Sequence, residues 1–216
     1  KMLKAMPNMV LLLNDWFVTP SGAGTKDGSS WNNAMGAAEL RDLLSDSDAE
    51  QLDGATINMA AGDYYLSGAA GKVVNMGFTD EKNPVKVTFL GGYPAGLTSL
   101  SKKGRNAGTN VTAFTGNNEA GIIIKGNKTD VTFDGLTFKN CNFTSMNRDA
   151  GAIETNADAS GDCTITLSDC QILNNKNTNG RTGAGIFVRN AIVNISNCSF
   201  SGNYARNGSA INMTAG

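Results

Sequence analysis

Histidine is absent from the 216 residues. Within this segment that excludes Ser-His-Asp hydrolysis, Cys-His proteolysis and metal binding through imidazole. Proline is scarce, with 4 residues against 26 glycines, so turns are made by glycine rather than by a proline-rich linker. Long apolar runs are missing too. The longest early one, Met9–Leu13, falls far short of the roughly 18 residues a membrane helix needs. Neither charge sign dominates, and a formal net charge of -1 implies no nucleic-acid partner. The 4 cysteines, Cys141, Cys163, Cys170 and Cys198, lack the paired short spacings of a zinc ribbon.

What the chain does have is a repeated phrase between about Asn118 and Met213. Gly121-Ile122-Ile123-Ile124 is followed by Val131-Thr132-Phe133-Asp134-Gly135-Leu136-Thr137-Phe138. Ala152-Ile153-Glu154-Thr155 is followed by Ile165-Thr166-Leu167-Ser168-Asp169-Cys170-Gln171-Ile172. Gly185-Ile186-Phe187-Val188 is followed by Val193-Asn194-Ile195-Ser196-Asn197-Cys198-Ser199-Phe200. A fourth phrase starts at Ser209-Ala210-Ile211-Asn212-Met213. The markers Ile122, Ile153, Ile186 and Ile211 recur at steps of 31, 33 and 25 residues, which fits a solenoid with loops of variable length.

Inside each phrase, apolar residues alternate with Thr, Ser, Asn and Asp. One strand face is therefore core and the other is in water. Runs this short bury their apolar face only by stacking on neighbouring coils. The pattern predicts an all-β, right-handed parallel β-helix with coils about 4.8 Å apart. Phe133, Leu167 and Ile195 are predicted to form one inward ladder, and Leu136, Cys170 and Cys198 another. Stacked thiols at Cys170 and Cys198 pack as small hydrophobes, and parallel side chains suit a disulfide poorly. Cys141 and Cys163 receive no assignment.

The chain divides into an arm or first strand at 1–15, a lead-in strand, loop and capping helix at 16–54, and coils at 55–216. Ala37, Leu40 and Leu44 follow helical spacing, which predicts an amphipathic helix over 34–44 that closes the N-terminal end of the core. Asn32 or Asn33 is its expected cap. Gly91-Gly92-Tyr93-Pro94 reads as a turn, and 95–109 as a polar loop with Lys102, Lys103 and Arg105. The fourth phrase breaks off without a capping element, so the expectation is that coils continue past Gly216 or that another chain covers that end.

Two stretches carry a resemblance. Trp16–Ala34, with its Asp27-Gly28-Ser29-Ser30-Trp31 phrase, resembles the lead-in of secreted bacterial β-helix proteins of the pectate-lyase-like superfold. The Gly151-Ala152-Ile153, Gly185-Ile186 and Ala210-Ile211 phrases alternate with Phe138 and Asn140, Ile172 with Asn174 and Asn175, and Phe200 with Asn203. These are similar to the repeats of chlamydial polymorphic membrane proteins, with Gly-Gly changed to Gly-Ala or Ser-Ala and one Phe to Ile. Together they cover most of 16–213 and imply a protein secreted by, or exposed on the outer membrane of, a bacterium.

Arg148, Arg181 and Arg206 each precede a marker isoleucine by five residues, a spacing that predicts an arginine ladder. Guanidinium groups one coil apart repel by about 1 kcal/mol even in water. Asp149, Glu154 and Asp158 offer counter-charge within the chain, and a sulfate, a uronate or an anionic lipid head group offers it from outside. A ligand-binding site of Arg148, Arg181, Arg206, Asp158 and Asp162 follows, with a polysaccharide or surface protein as partner and an adhesin-like role. The resemblance implies an alternative, a polysaccharide lyase or glycoside hydrolase with its site in the late coils or beyond residue 216. Arg148 or Arg181 would be its base, and Glu154, Asp158 and Asp162 would hold calcium. The third reading is a structural spacer.

Overall fold

The computed structural model describes residues 14–45, 52–65, 74–77, 85–116, 122–125, 129–143, 151–155, 163–178 and 182–214. These are mostly β-strands, with one α-helix, α1 (Ala37–Ser45). The first sheet holds β1 (Asp15–Val18), β2 (Ala55–Ala60), β5 (Val85–Tyr93), β8 (Thr129–Asp134), β12 (Cys163–Ser168) and β16 (Ala191–Ser196) in that order. The second holds β3 (Gly62–Tyr64), β6 (Thr112–Thr115), β9 (Leu136–Lys139), β13 (Gln171–Leu173) and β17 (Ser199–Ser201). The third holds β4 (Val74–Gly77), β7 (Ile122–Lys125), β11 (Ile153–Thr155), β15 (Ile186–Arg189) and β18 (Ile211–Thr214). A short pair, β10 (Asn142–Phe143) with β14 (Lys176–Asn177), lies between the second and third sheets in chain order. Every pairing between these strands is parallel, and from β2 onward the chain visits the three sheets in a fixed rotation.

The register is the one the sequence pattern predicts. Ile153 pairs with Ile122 and Ile186, and Ile186 with Ile211. Leu167 lies between Phe133 and Ile195, with Ile57 and Phe89 continuing that row. In the second sheet Tyr64, Phe114, Phe138, Ile172 and Phe200 form the equivalent row. Rings pack both along a row and across to the facing one. Phe89 stacks on Phe133 with centroids 5.0 Å apart, and Phe133 meets Phe138 edge-on at 5.2 Å. Such pairs add to simple area burial.

Corners between strands need backbone that doubles back, and left-handed residues supply it. Gly135, Asp169 and Asn197 have positive φ at successive corners from the first to the second sheet. Asn140, Asn174 and Gly202 do the same at the exit from the second. Glycine reaches this region without a Cβ clash, and Asn and Asp tolerate it better than most residues. The alternation of strand and Asn seen in the sequence is thus an alternation of extended and left-handed backbone.

The N-terminal end is closed on all three sheets. The outer edge of β1 is bonded by the lead-in loop, with Phe17 N–H donating to the Gly28 carbonyl and Met35 N–H to that of Phe17, both at 3.0 Å. Pro20 lies against Gly62 of β3, and α1 packs on β4. Leu40 and Leu44 are buried, as the cap reading predicts. Three details differ from expectation. The helix begins at Ala37, because Ala34–Gly36 are extended and bridge to Val18 and Ser21. Asn32 and Asn33 instead lie in a 3-10 turn, and the Glu39 carboxylate accepts from Gly36 N–H at 3.0 Å. Gly91 and Gly92 are not a turn: β5 continues to Tyr93 past an irregularity opposite Asn58 and Ala60. A Cβ on Gly91 would stand 2.5 Å from the Gly135 carbonyl, so glycine keeps that strand close to the next coil.

A second, smaller apolar cluster sits outside the first sheet. Phe17, Trp31, Ala34, Ala60 and Tyr93 form it, with Trp31 5.0 Å from Phe17 and 5.5 Å from Tyr93. The 95–109 loop folds over this region. Trp31 Nε1 donates to the Ser101 carbonyl at 2.6 Å. Two of its cations are engaged: Lys102 pairs with Asp15 at 2.7 Å, while Arg105 pairs with Asp134 and donates to the Gly91 carbonyl.

Candidate binding surface

Arg206, the described member of the predicted ladder, lies between β17 and β18, at the corner between the second and third sheets. Two stacked asparagines tie the coils together there. Asn175 is fully buried; its Oδ1 accepts from Cys141 N–H at 3.0 Å, and its Nδ2 donates to the Phe138 carbonyl at 3.0 Å. One coil further, Asn203 Oδ1 accepts from Asn175 N–H at 3.0 Å, and its Nδ2 donates to the Ile172 carbonyl at 2.8 Å. Each amide thus ties its own coil to the preceding one. Asn175→Ala leaves the Cys141 N–H and the Phe138 carbonyl buried without that partner. The expected loss is about 2–3 kcal/mol of unfolding free energy, read by urea titration. An unchanged midpoint would show that these bonds are replaceable.

On the outside of the same corner, Asn142 pairs with Lys176 in register, and Lys176 bridges to Tyr204. Tyr204 is 63 % exposed, and Lys176 and Arg206 are exposed as well. The loop carrying Arg206 is pinned on both sides. Tyr204 N–H donates to the Asn175 carbonyl at 2.9 Å, and Gly183 N–H to that of Asn207 at 2.9 Å. Thr182 and Asn207, which follow Arg181 and Arg206 in the chain, are bridged in parallel. The sequence reading missed Lys176 and Tyr204. Their signal is that they follow the left-handed Asn174 and Gly202 by two residues, on the solvent side of the corner.

Of the predicted site residues, Arg148, Arg181, Asp149, Asp158 and Asp162 lie outside the described residues. Arg206 is on the surface. Glu154 is elsewhere, on β11, only 5 % exposed and in register with Phe187 of β15. The Arg189 guanidinium stands 5.3 Å above the Phe187 ring. Among the described residues no group of three or more Cys, Asp or Glu is placed to hold a metal ion. No described helix is long and apolar enough to cross a membrane.

The cysteines are free thiols. Cys170 Sγ donates to the Ser168 carbonyl at 3.2 Å, and Cys198 Sγ to that of Ser196 at 3.2 Å. The two lie one coil apart, as the predicted ladder requires. Cys170 N–H donates to Cys198 Sγ at 3.4 Å. Burial pushes the Cys141 and Cys170 thiols up to about 12 and Cys163 up to about 11. Thiols held neutral in this way are poor nucleophiles at neutral pH and pack as core.

These features define an all-β protein of parallel sheets with a polar corner carrying exposed cationic and aromatic side chains. Compared with protein-family models, with curated proteins and with solved structures, the chain matches none of them.

Proposed function

We propose that the chain is a right-handed parallel β-helix on a bacterial surface, or secreted, that binds an anionic glycan or a protein partner in adhesin-like fashion. The handedness follows from the strong preference of parallel strands in one sheet for right-handed crossovers. The observation that carries the binding role is the solvent-facing corner with Lys176, Tyr204 and Arg206 on two consecutive coils. Guanidinium and ammonium groups recognise sulfate and carboxylate, and a tyrosine ring gives a flat apolar face with a polar tip. The parallel bridge between Thr182 and Asn207 supports Arg181 and Arg206 as members of one ladder, to which the sequence spacing adds Arg148. Calcium has no part in this reading.

The test is a binding assay against sulfated and uronate polymers over a range of salt. Arg148→Ala/Arg181→Ala/Arg206→Ala is expected to lose the salt-sensitive part of the affinity while keeping its circular dichroism. Equal binding by wild type and triple variant would overturn the ladder as the recognition element. Formation of unsaturated products from the same uronates would instead favour the lyase reading.

A further inference from the structure

Between Tyr93, where β5 ends, and Thr112, where β6 begins, the chain leaves the coils and crosses the outside of the first sheet. It forms no helix or strand on the way, and none of residues 95–109 is buried. Leu97 packs on the outer aromatic cluster while remaining partly open, and Leu100 is exposed. What the loop covers is buried, namely Trp31 and Tyr93. The loop therefore shields two rings while burying little apolar surface of its own.

Polar contacts hold it in place instead. Trp31 N–H donates to the Ser99 carbonyl at 2.9 Å, and its indole N–H to that of Ser101 at 2.6 Å. Lys102 and Arg105 reach partners far apart on the sheet, Asp15 on β1 and Asp134 on β8, with β2 and β5 between them. The side chains of these pairs are between 31 % and 42 % exposed. Ion pairs this open are weak and are screened by salt. The end nearer β6 is anchored separately, with Asn106 N–H donating to the Gly92 carbonyl at 2.7 Å and Asn110 Nδ2 at 3.1 Å. Gly96 and Gly104 flank the stretch that touches Trp31, and both have positive φ. A Cβ on Gly96 would meet nothing within 4 Å, so there the backbone is free to turn.

We infer that residues 96–105 are a strap, latched by the Lys102 and Arg105 ion pairs, that opens over Trp31 and Tyr93 while the coils stay folded. Strands bonded on both sides open only together with the coils, whereas a segment held by a few exposed contacts opens at lower free energy. Opening presents two aromatic rings to solvent on the outer face of the first sheet, and closing withdraws them. The latch makes the balance a function of ionic strength.

The test is native-state hydrogen exchange of the 216-residue chain, followed by NMR in about 0.01 M and about 1 M salt, where the Debye length falls from roughly 30 Å to roughly 3 Å. The backbone and indole N–H groups of Trp31 report on the strap. The N–H groups of β12, which is paired on both sides, report on the coils. In low salt the Trp31 groups are expected to exchange at least about tenfold faster than those of β12. High salt is expected to speed them a further two- to tenfold or so, about what two exposed ion pairs supply, with β12 unchanged. Lys102→Glu sets a carboxylate against Asp15 and is expected to give the high-salt behaviour in low salt. Trp31 protection equal to that of β12 in both salts would overturn the inference. So would Trp31 exchange indifferent to salt, or to Lys102→Glu.

Discussion

Leu40→Asp is expected to lower the unfolding free energy by at least about 4 kcal/mol, a large share of the roughly 5–15 kcal/mol that holds a domain together. Leu40 is fully buried in α1, in the main core and against the first coils. The substitution removes the apolar side chain and puts a carboxyl group into an apolar site. Leu40→Met keeps volume and chemistry and should cost less than about 1.5 kcal/mol. Urea titration of the pair separates the role of the cap from general sensitivity of the helix. If the aspartate variant unfolds at the wild-type midpoint, α1 is not what closes this end.

The other large effect is at the centre of the stack. Phe133 is fully buried between Phe89 and Leu167 in its row and touches Phe138 from the second sheet. Phe133→Ala should cost about 3–5 kcal/mol, because the flanking rows are tied by backbone ladders and collapse poorly into the cavity. Phe200→Ala, where the side chain is only partly buried, should cost clearly less in this 216-residue chain. Equal losses at the two positions would contradict the graded burial of the rows.

The strand rows were legible because they are repetitive. A period-two apolar pattern, restarted at each marker isoleucine, leaves one register in which Phe133, Leu167 and Ile195 coincide. The helix was legible from Leu40 and Leu44, but its first turn was not. The extended Ala34–Gly36 segment is fixed by pairing with β1, a contact that no local propensity encodes. The run through Gly91 and Gly92 misled for a similar reason. Two glycines signal a turn, yet here they let β5 lie close to the backbone of the next coil. The corner residues divide in the same way. Left-handed Asn140 and Asn174 follow from composition, whereas the exchange between Asn175 and Asn203 depends on which residues stack. Arg206 was found by counting back from the markers. Tyr204 and Lys176 were not, since a lone tyrosine or lysine carries no period of its own.

The aromatic cluster outside the first sheet has a consequence for the order of events on the ribosome. Trp31 needs Tyr93 as a neighbour and the Ser101 carbonyl as acceptor, a partner 70 residues further along the chain. At about 5–20 residues per second, the lead-in segment waits roughly 4–14 s for them to be synthesised. The bonds of the lead-in to itself, such as Phe17 N–H to the Gly28 carbonyl, can form as soon as it is made, whereas the contacts of Trp31 with Tyr93 and Ser101 cannot. Trp31 is therefore covered from outside by a later passage of the chain.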